Sequence, residues 1–349
     1  MGAPGRGLGD RMGKLKVGVI GAGYWGPNLV RNFLSQADVE VSTVADQQAS
    51  RRQFIAGRYP AIKTVADASE VIGDASIDAV VIATPVNSHF PLAESALSAG
   101  KHVLIEKPMC ASTEQCDKLI ELADSKKLTL MVDHTFLYNG AVRRIREMAG
   151  SGELGDVMYF DSVRVNLGLF QHDVNVIWDL APHDVSIMDA VIGKDPSSVC
   201  AIGLAHYETP VENIAYVTVT FADSAIAHFH VNWLAPVKVR TTLIGGTKKM
   251  IVYDDTEPSE KVKVYDKGVK VEAGVEEIHR YLVEYRIGDM YAPRLDSTEA
   301  LHLVAKEFVD SIRESRAPLT DGRAGLRVVR ILEAANQSLT RGGQPVELS

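Results

Sequence analysis

Between residues 16 and 132, short β-branched runs alternate with longer amphipathic stretches. KVGVIG, VEVSTVAD, SIDAVVIATP, HVLIEKP and LTLMVDHT are the runs, and their alternation with helical segments predicts an α/β doubly wound parallel sheet. DAVVIA and HVLIE are apolar without interruption, as strands covered on both faces are. After Gly150 the pattern changes: VMYFDSVRVNLG, SVCAIGLAHY, NIAYVTVTFAD, AIAHFHVNWL, RTTLIGG and MIVYDD follow one another without crossover helices between them. That succession predicts a large, mostly antiparallel sheet, an α+β arrangement backed by helices over 182–192, 297–314 and 323–338.

A hydrophobic content of 46% over 349 residues exceeds what one core needs and points to two domains, over 14–135 and 136–349. The last helix is placed to pack back on the first domain. Residues 1–13 are read as a leader outside the fold. A net charge of -8 argues against a sequence-independent grip on nucleic acid, which needs a basic face. Cys110, Cys116 and Cys200 lack the paired short spacings of a zinc site or a disulfide framework. No segment offers the roughly 20 apolar residues of a membrane span, and the Gly- and Arg-rich start has no apolar stretch like a signal peptide. The expectation is a cytoplasmic protein with no metal, acting on a small molecule.

In KVGVIGAGYWGPNLVRNFL a strand runs into G-x-G-x-x-G and then a helix, the context of a dinucleotide-binding Rossmann fold. Gly21 permits the tight turn, Gly23 lets the backbone approach a pyrophosphate, and Gly26 allows close helix packing. Backbone N–H groups near Tyr24 and Trp25 would meet the anion at the helix N-terminus, with the two rings as shields. The alternative is a simple strand-to-helix turn. Asp46 closes the second strand, where a carboxylate accepts the ribose hydroxyls of NAD and repels the 2'-phosphate of NADP. Arg51 and Arg52 follow, as a solvated helix face or as a clasp for that phosphate.

The fingerprint GAGYWG, the strand end ATPVNSHF, GKHVLIEKP, the HTFLYN region, WDLAPHD and the closing DGRAGLRVVRILEAANQS together resemble the Gfo/Idh/MocA oxidoreductases. The resemblance runs over nearly the whole chain from Lys16. It implies that Lys107, in the Glu-Lys-Pro tripeptide, is catalytic and close to the cofactor, polarising oxygen and sharing its proton. Pro108 then has a structural part. Asp179 and His183 match the family's D-x-x-x-H pair, His183 as the base for a hydroxyl proton and Asp179 holding Lys107 or the substrate hydroxyl. The plainer readings are a surface lysine, an Asp179 N-cap at a helix that begins near Pro182, and Asp184 as the competing acid. Thr84, Pro85, Asn87 and His89 match the family's turn beside the cofactor, although Pro and Asn serve ordinary turns equally well. Glu106 contacts the nicotinamide ribose or pairs locally.

Arg164, Asn166 and Gln171 stand where substrate contacts are expected, with Arg164 either binding phosphate or pairing with acids. His228 and His230 share one strand face without a third ligand, which favours ordinary sheet residues. The resemblance implies NAD-dependent oxidation of a ring hydroxyl. GYWGPN, NVIWDLAPHD and EYRIGDMYAP narrow it to members acting on nucleotide-linked sugars, such as C3 of UDP-N-acetylglucosamine. Here NVIW stands where one branch of UDP-sugar dehydrogenases has a glycine-rich run. Alternatives are a free-sugar, inositol or keto-sugar oxidoreductase, and a dinucleotide-binding sensor without turnover. An open antiparallel sheet leaves one face uncovered, so a homodimer or homotetramer through that sheet is expected.

Overall fold

The computed structural model describes residues 13–168, 174–207, 210–223, 225–272 and 282–348. The chain divides into two compact units, one running to Tyr138 and taking up Thr298–Val329, the other holding Asn139–Ser297 and Arg330–Ser349. The first boundary falls close to residue 135, but the sequence after it does not form one block, because Thr298–Val329 clusters with the first unit.

In the first unit, β1 (Leu15–Ile20), β2 (Val39–Ala45), β3 (Lys63–Val65), β4 (Ala79–Ile82), β5 (His102–Glu106) and β6 (Leu130–Asp133) form a parallel sheet in the order β3-β2-β1-β4-β5-β6. The connections carry α1 (Gly26–Leu34), α2 (Ala49–Arg58), α3 (Ala68–Ile72), α4 (His89–Ser98) and α5 (Thr113–Lys126). Ala79, Val80, Val81 and Ile82 of β4 and Val103, Leu104 and Ile105 of β5 are all buried, so these central strands are apolar at consecutive positions and not at alternate ones. The order reverses between β1 and β4, the switch point outside whose strand ends ligands of such sheets bind. Ser112 starts α5 by accepting the Gln115 N–H at 3.3 Å, and Lys127 ends it in the left-handed conformation at φ 56°.

The returning segment carries α8 (Ala300–Glu314), which packs on α1 with Phe33 and Phe308 edge to face at 6.1 Å. Arg31 grips Glu299, the residue before α8, through two hydrogen bonds of 2.9 and 2.5 Å. Further on, the Thr320 hydroxyl donates to the Val132 carbonyl at 2.7 Å.

The second unit contains α6 (Gly140–Gly150), β7 (Val157–Leu167), α7 (Val176–Ile192), β8 (Pro196–Leu204), β9 (Ile214–Phe221), β10 (Ile226–Asn232), β11 (Leu234–Gly246), β12 (Met250–Asp254), β13 (Val262–Glu272), β14 (Leu282–Tyr291) and β15 (Val346–Glu347). Its strands form one sheet in the order β14-β13-β12-β11-β7-β10-β9-β8-β15, antiparallel at every junction except β7 with β10. The last helix, α9 (Gly322–Thr340), begins in the first unit and ends in the second. Side chains alternate across the sheet. Ala215, Val217, Val219, Ala227, Phe229 and Phe160 are buried on one face, against which α7 packs. Ile202, Leu204, Tyr216, Ile226 and Leu243 are exposed on the other.

Several elements differ from the sequence expectation. The helix expected from 182 starts at Val176, because Asn175 caps it by accepting the Trp178 N–H at 3.2 Å, and Pro182 lies inside it. The strands β3, β13, β14 and β15 and the helix α6 are additional to the expected elements.

Candidate active site

The glycine turn follows β1 directly. Gly21 has φ 98°, and a Cβ there would lie 2.4 Å from the Ala83 carbonyl oxygen. At Gly26 a Cβ would come within 2.1 Å of the Gly21 carbonyl oxygen. Both glycines are therefore demanded by the turn itself. Gly23 is different: a Cβ there would meet only the Arg51 guanidinium, at 3.5 Å. Its bare backbone faces a cavity of about 530 Å³ lined by Ala22, Gly23, Tyr24, Asn28, Ser50 and Arg51 among others. Trp25, the N-cap of α1, makes no side-chain capping bond, so no capping side chain covers the helix N-terminus where an anion would sit. An open backbone at Gly23 beside an uncapped helix start fits the pyrophosphate of a dinucleotide.

Asp46 closes this cradle. Its Oδ2 accepts the Ala22 N–H and its Oδ1 accepts the Gln48 N–H, each at 2.8 Å, and Arg51 Nη1 lies 3.5 Å from Oδ2. Arg52 instead donates to the Asp46 and Gln47 carbonyls at 2.7 and 2.9 Å, which ties down the turn into α2. Tyr24 is exposed and stacks on Trp25 with ring centroids 6.3 Å apart.

The turn after β4 keeps Pro85 and Asn87 exposed, with the Ser88 hydroxyl 2.7 Å from Thr84 Oγ1. His89 departs from its expected cofactor contact. It is buried, with Nδ1 2.9 Å from the Pro108 carbonyl and Nε2 2.7 Å from the Thr84 carbonyl. A neutral ring donates to only one of these carbonyls, yet it still joins the Thr84 turn to the Lys107–Pro108 turn, and burial lowers its affinity for the second proton that would let both bonds form.

Lys107 follows β5 and is half-buried. Its backbone N–H donates to Glu106 Oε2 at 3.3 Å. Burial, then the neighbouring Asp133, push the Glu106 carboxyl well above the usual carboxylate range, and burial raises Asp133 as well. Asp133 Oδ1 accepts the Thr135 hydroxyl at 2.6 Å. His134 is buried and held down to about 3, first by burial and then by the charges of Lys107 and Arg327. Asp133 is not singled out by the sequence and His134 only as the first residue of HTFLYN; the signal for both is position, at the end of the strand beside Glu106.

In the second unit Asp179 lies in the first turn of α7 and His183 one turn later, so the pair shares a helix face. Asp179 is therefore not the N-cap. Its Oδ2 accepts the Trp233 indole N–H at 2.9 Å, a partner absent from the sequence expectation. Asp184 does not compete for its role, because Arg164 holds both Asp184 oxygens at 2.7 Å through Nε and Nη2. This is a correction for Arg164 too. Its guanidinium is buried and taken up by Asp184, so the substrate contact expected of it is replaced by an internal ion pair. Asn166 is half-buried on β7, and Gln171 lies outside the described residues.

Tyr216 stacks on His230 at 4.5 Å and on His228 at 6.1 Å, and His228 Nδ1 lies 3.2 Å from Asp161. Among the described residues no group of three or more His, Cys, Asp and Glu is placed to hold a metal, and no helix is long and apolar enough to cross a membrane.

Residues 15–134 match the family model described as oxidoreductase family, NAD-binding Rossmann fold, of Gfo/Idh/MocA, and residues 142–252 match the Gfo/Idh/MocA C-terminal domain. The chain is 27% identical to UDP-N-acetylglucosamine 3-dehydrogenase of Acidithiobacillus ferrooxidans over 326 residues, 90% of this chain and 94% of that protein. It is 25% identical to scyllo-inositol 2-dehydrogenase (NADP(+)) IolW of Bacillus subtilis, over 93% of each. Among solved structures, levoglucosan dehydrogenase in complex with NADH and L-sorbose superposes with a TM-score of 0.82 at 19% identity, over 96% of this chain and 99% of that one.

Proposed function

Since the chain belongs to the Gfo/Idh/MocA family of NAD-binding oxidoreductases, we propose that it oxidises a ring hydroxyl of a nucleotide-linked sugar to a keto sugar, at C3 of UDP-N-acetylglucosamine or a relative. The observation that carries this reading is the 27% identity to a UDP-N-acetylglucosamine 3-dehydrogenase, which extends over 90% of the chain and so includes both units. Bound NAD supplies the hydride acceptor. Gly23 and the start of α1 receive its pyrophosphate, and Asp46 receives the adenosine ribose. Thr84, Pro85 and Asn87 border the cofactor at the end of β4.

Lys107 donates to the reacting oxygen and stabilises the negative charge that develops there as the hydroxyl proton leaves. His183 takes that proton, since an imidazole changes charge near neutral pH. Asp179, fixed by the Trp233 indole, orients the sugar hydroxyl. Asn166 and Gln171 supply further substrate contacts. The apolar side chains exposed on one face of the nine-stranded sheet support self-association through that face.

A second reading, oxidation of a free sugar or inositol, is favoured by the 25% identity to the inositol dehydrogenase over 93% of the chain. A screen for NADH formation with UDP- and dTDP-sugars, inositols and free hexoses separates the two, with the keto position of the product mapped by NMR. Turnover of UDP-N-acetylglucosamine to its 3-keto product is the expected result. Turnover of free polyols with no binding of any UDP-sugar overturns the first reading.

A further inference from the structure

Two acids meet at the C-terminal ends of neighbouring parallel strands. Glu106 closes β5 and Asp133 closes β6, and the two are register partners, at the strand spacing of about 4.8 Å. Beyond the effect of burial, Asp133 raises the proton affinity of Glu106 by its charge and as an acceptor, while Glu106 as a donor lowers that of Asp133. Asp133 is only 1% exposed. Its Oδ1 takes the Thr135 hydroxyl at 2.6 Å, and its Oδ2 faces the Trp25 indole N–H at 3.5 Å. Glu106 Oε2 takes the Lys107 backbone N–H, while Glu106 Oε1 is buried and receives no N–H or O–H.

Two ionised carboxylates cannot donate to each other, and like charges side by side away from water repel strongly. One proton resolves both difficulties, because a protonated carboxyl turns the orphaned acceptor into a donor. The surrounding groups leave that proton in place. Lys107 faces both acids and His134, Arg327 faces His134, and Tyr138, kept un-ionised by burial, faces Asp133. His134 is buried with neither ring nitrogen hydrogen-bonded, so it offers the acids no donor.

We propose that Glu106 and Asp133 share a single proton, Glu106 donating and Asp133 accepting, and that this singly charged pair is a positioning device for Lys107. The functional part rests on the catalytic reading of Lys107 given above. Two full negative charges would draw the Lys107 ammonium into a salt bridge with the acids. One charge orients it less tightly, so that the ammonium can also reach the substrate oxygen.

The shared proton is tested without substrate, by thermal unfolding of the whole protein across a range of pH. An acid whose proton affinity is raised by folding contributes stability below the ordinary carboxylate range, and that stability is lost as pH rises through the raised value. Glu106→Gln places an amide N–H where the proton lies, at every pH. The melting temperature of Glu106→Gln relative to wild type should therefore climb as pH is raised from about 5 to about 9. Parallel curves overturn the shared proton. Should Glu106→Gln fail to fold, Asp133→Asn reads the same proton, because burial still raises Glu106 but the neighbouring charge is gone, so the wild-type pH slope becomes shallower. An unflattened slope there has the same force.

The positioning role is read from the pH profile of kcat/KM. Loss of the pair's proton should give wild type a limb that moves by about one pH unit or more in Glu106→Gln, with a smaller effect on NAD affinity. An unmoved profile confines the pair to folding and overturns the positioning role. Full turnover in Lys107→Ala would instead remove the catalytic reading of Lys107, with the unfolding result standing by itself.

Discussion

Each unit buries an acid with a charged or acidic neighbour, and the two arrangements are opposites. In the second unit Asp184 is held by the Arg164 fork at 2.7 Å on both oxygens, a neutral pair complete in itself. In the first, Asp133 stands beside another acid and the pair is incomplete without a proton and the nearby Lys107. The finished pair belongs to the core of the sheet and helix that bury it. The unfinished one stands at strand ends, where the parallel sheet collects its ligands. An incompletely satisfied cluster has stability to lose and chemistry to gain, a contrast that substitutions can break.

The largest effect is expected at Lys107. Lys107→Ala and His183→Ala should lower turnover by about 10²–10⁴-fold while keeping NAD affinity, measured by fluorescence titration, and wild-type rates in either would remove its catalytic role. Next comes the finished pair. Arg164→Leu strands a buried carboxylate and should destabilise by about 3–5 kcal/mol in urea unfolding, whereas Arg164→Met with Asp184→Leu should recover most of the loss. A double variant as unstable as the single would give the ion pair a part beyond mutual compensation.

His134 gives the pH prediction. Its proton affinity is lowered from 6.5 to about 3, so the folded state binds fewer protons than the unfolded one in that range. Stability is therefore present above pH 6.5 and is lost as pH falls towards 3. His134→Phe should flatten that acid limb, with His102, lowered to about 4 by burial, titrating in both proteins. The smallest effects separate the glycines. Gly26→Ala drives a Cβ to within 2.1 Å of backbone and should cost about 1–3 kcal/mol, while Gly23→Ala, which has room, should unfold like wild type and bind NAD more weakly.

The alternation of strands and helices up to Val132 was readable because parallel strands buried on both faces are uninterrupted apolar runs. The strand, glycine turn and Asp46 were readable for a similar reason, since they are local in sequence. α7 was read short. Pro182 suggested a helix start, but the Asn175 cap lies a full turn and more before it and outweighs the proline. β13 and β14 carry Lys, Asp and Arg among their apolar positions, the pattern of strands near a sheet edge, and this blurred their period. The partnerships of Arg164 with Asp184, Trp233 with Asp179 and Glu106 with Asp133 depend on strand order and helix placement. No spacing in the sequence encodes them, and they decide which polar residues are free for a substrate.

Asp46 has a consequence of its own. Its two oxygens are already held by the Ala22 and Gln48 amides, so the carboxylate has no rotor left to freeze when a ribose arrives. The loss of side-chain freedom, worth up to about 1 kcal/mol for an immobilised side chain, falls on folding and not on association. Arg51 Nη1, 3.5 Å from Oδ2, stands as a third neighbour of the carboxylate. On the proposed reading of Asp46 as the ribose acceptor, discrimination between a vicinal diol and its phosphorylated counterpart would be built into the protein before any encounter, as a rigid gauge and not as a flexible grip.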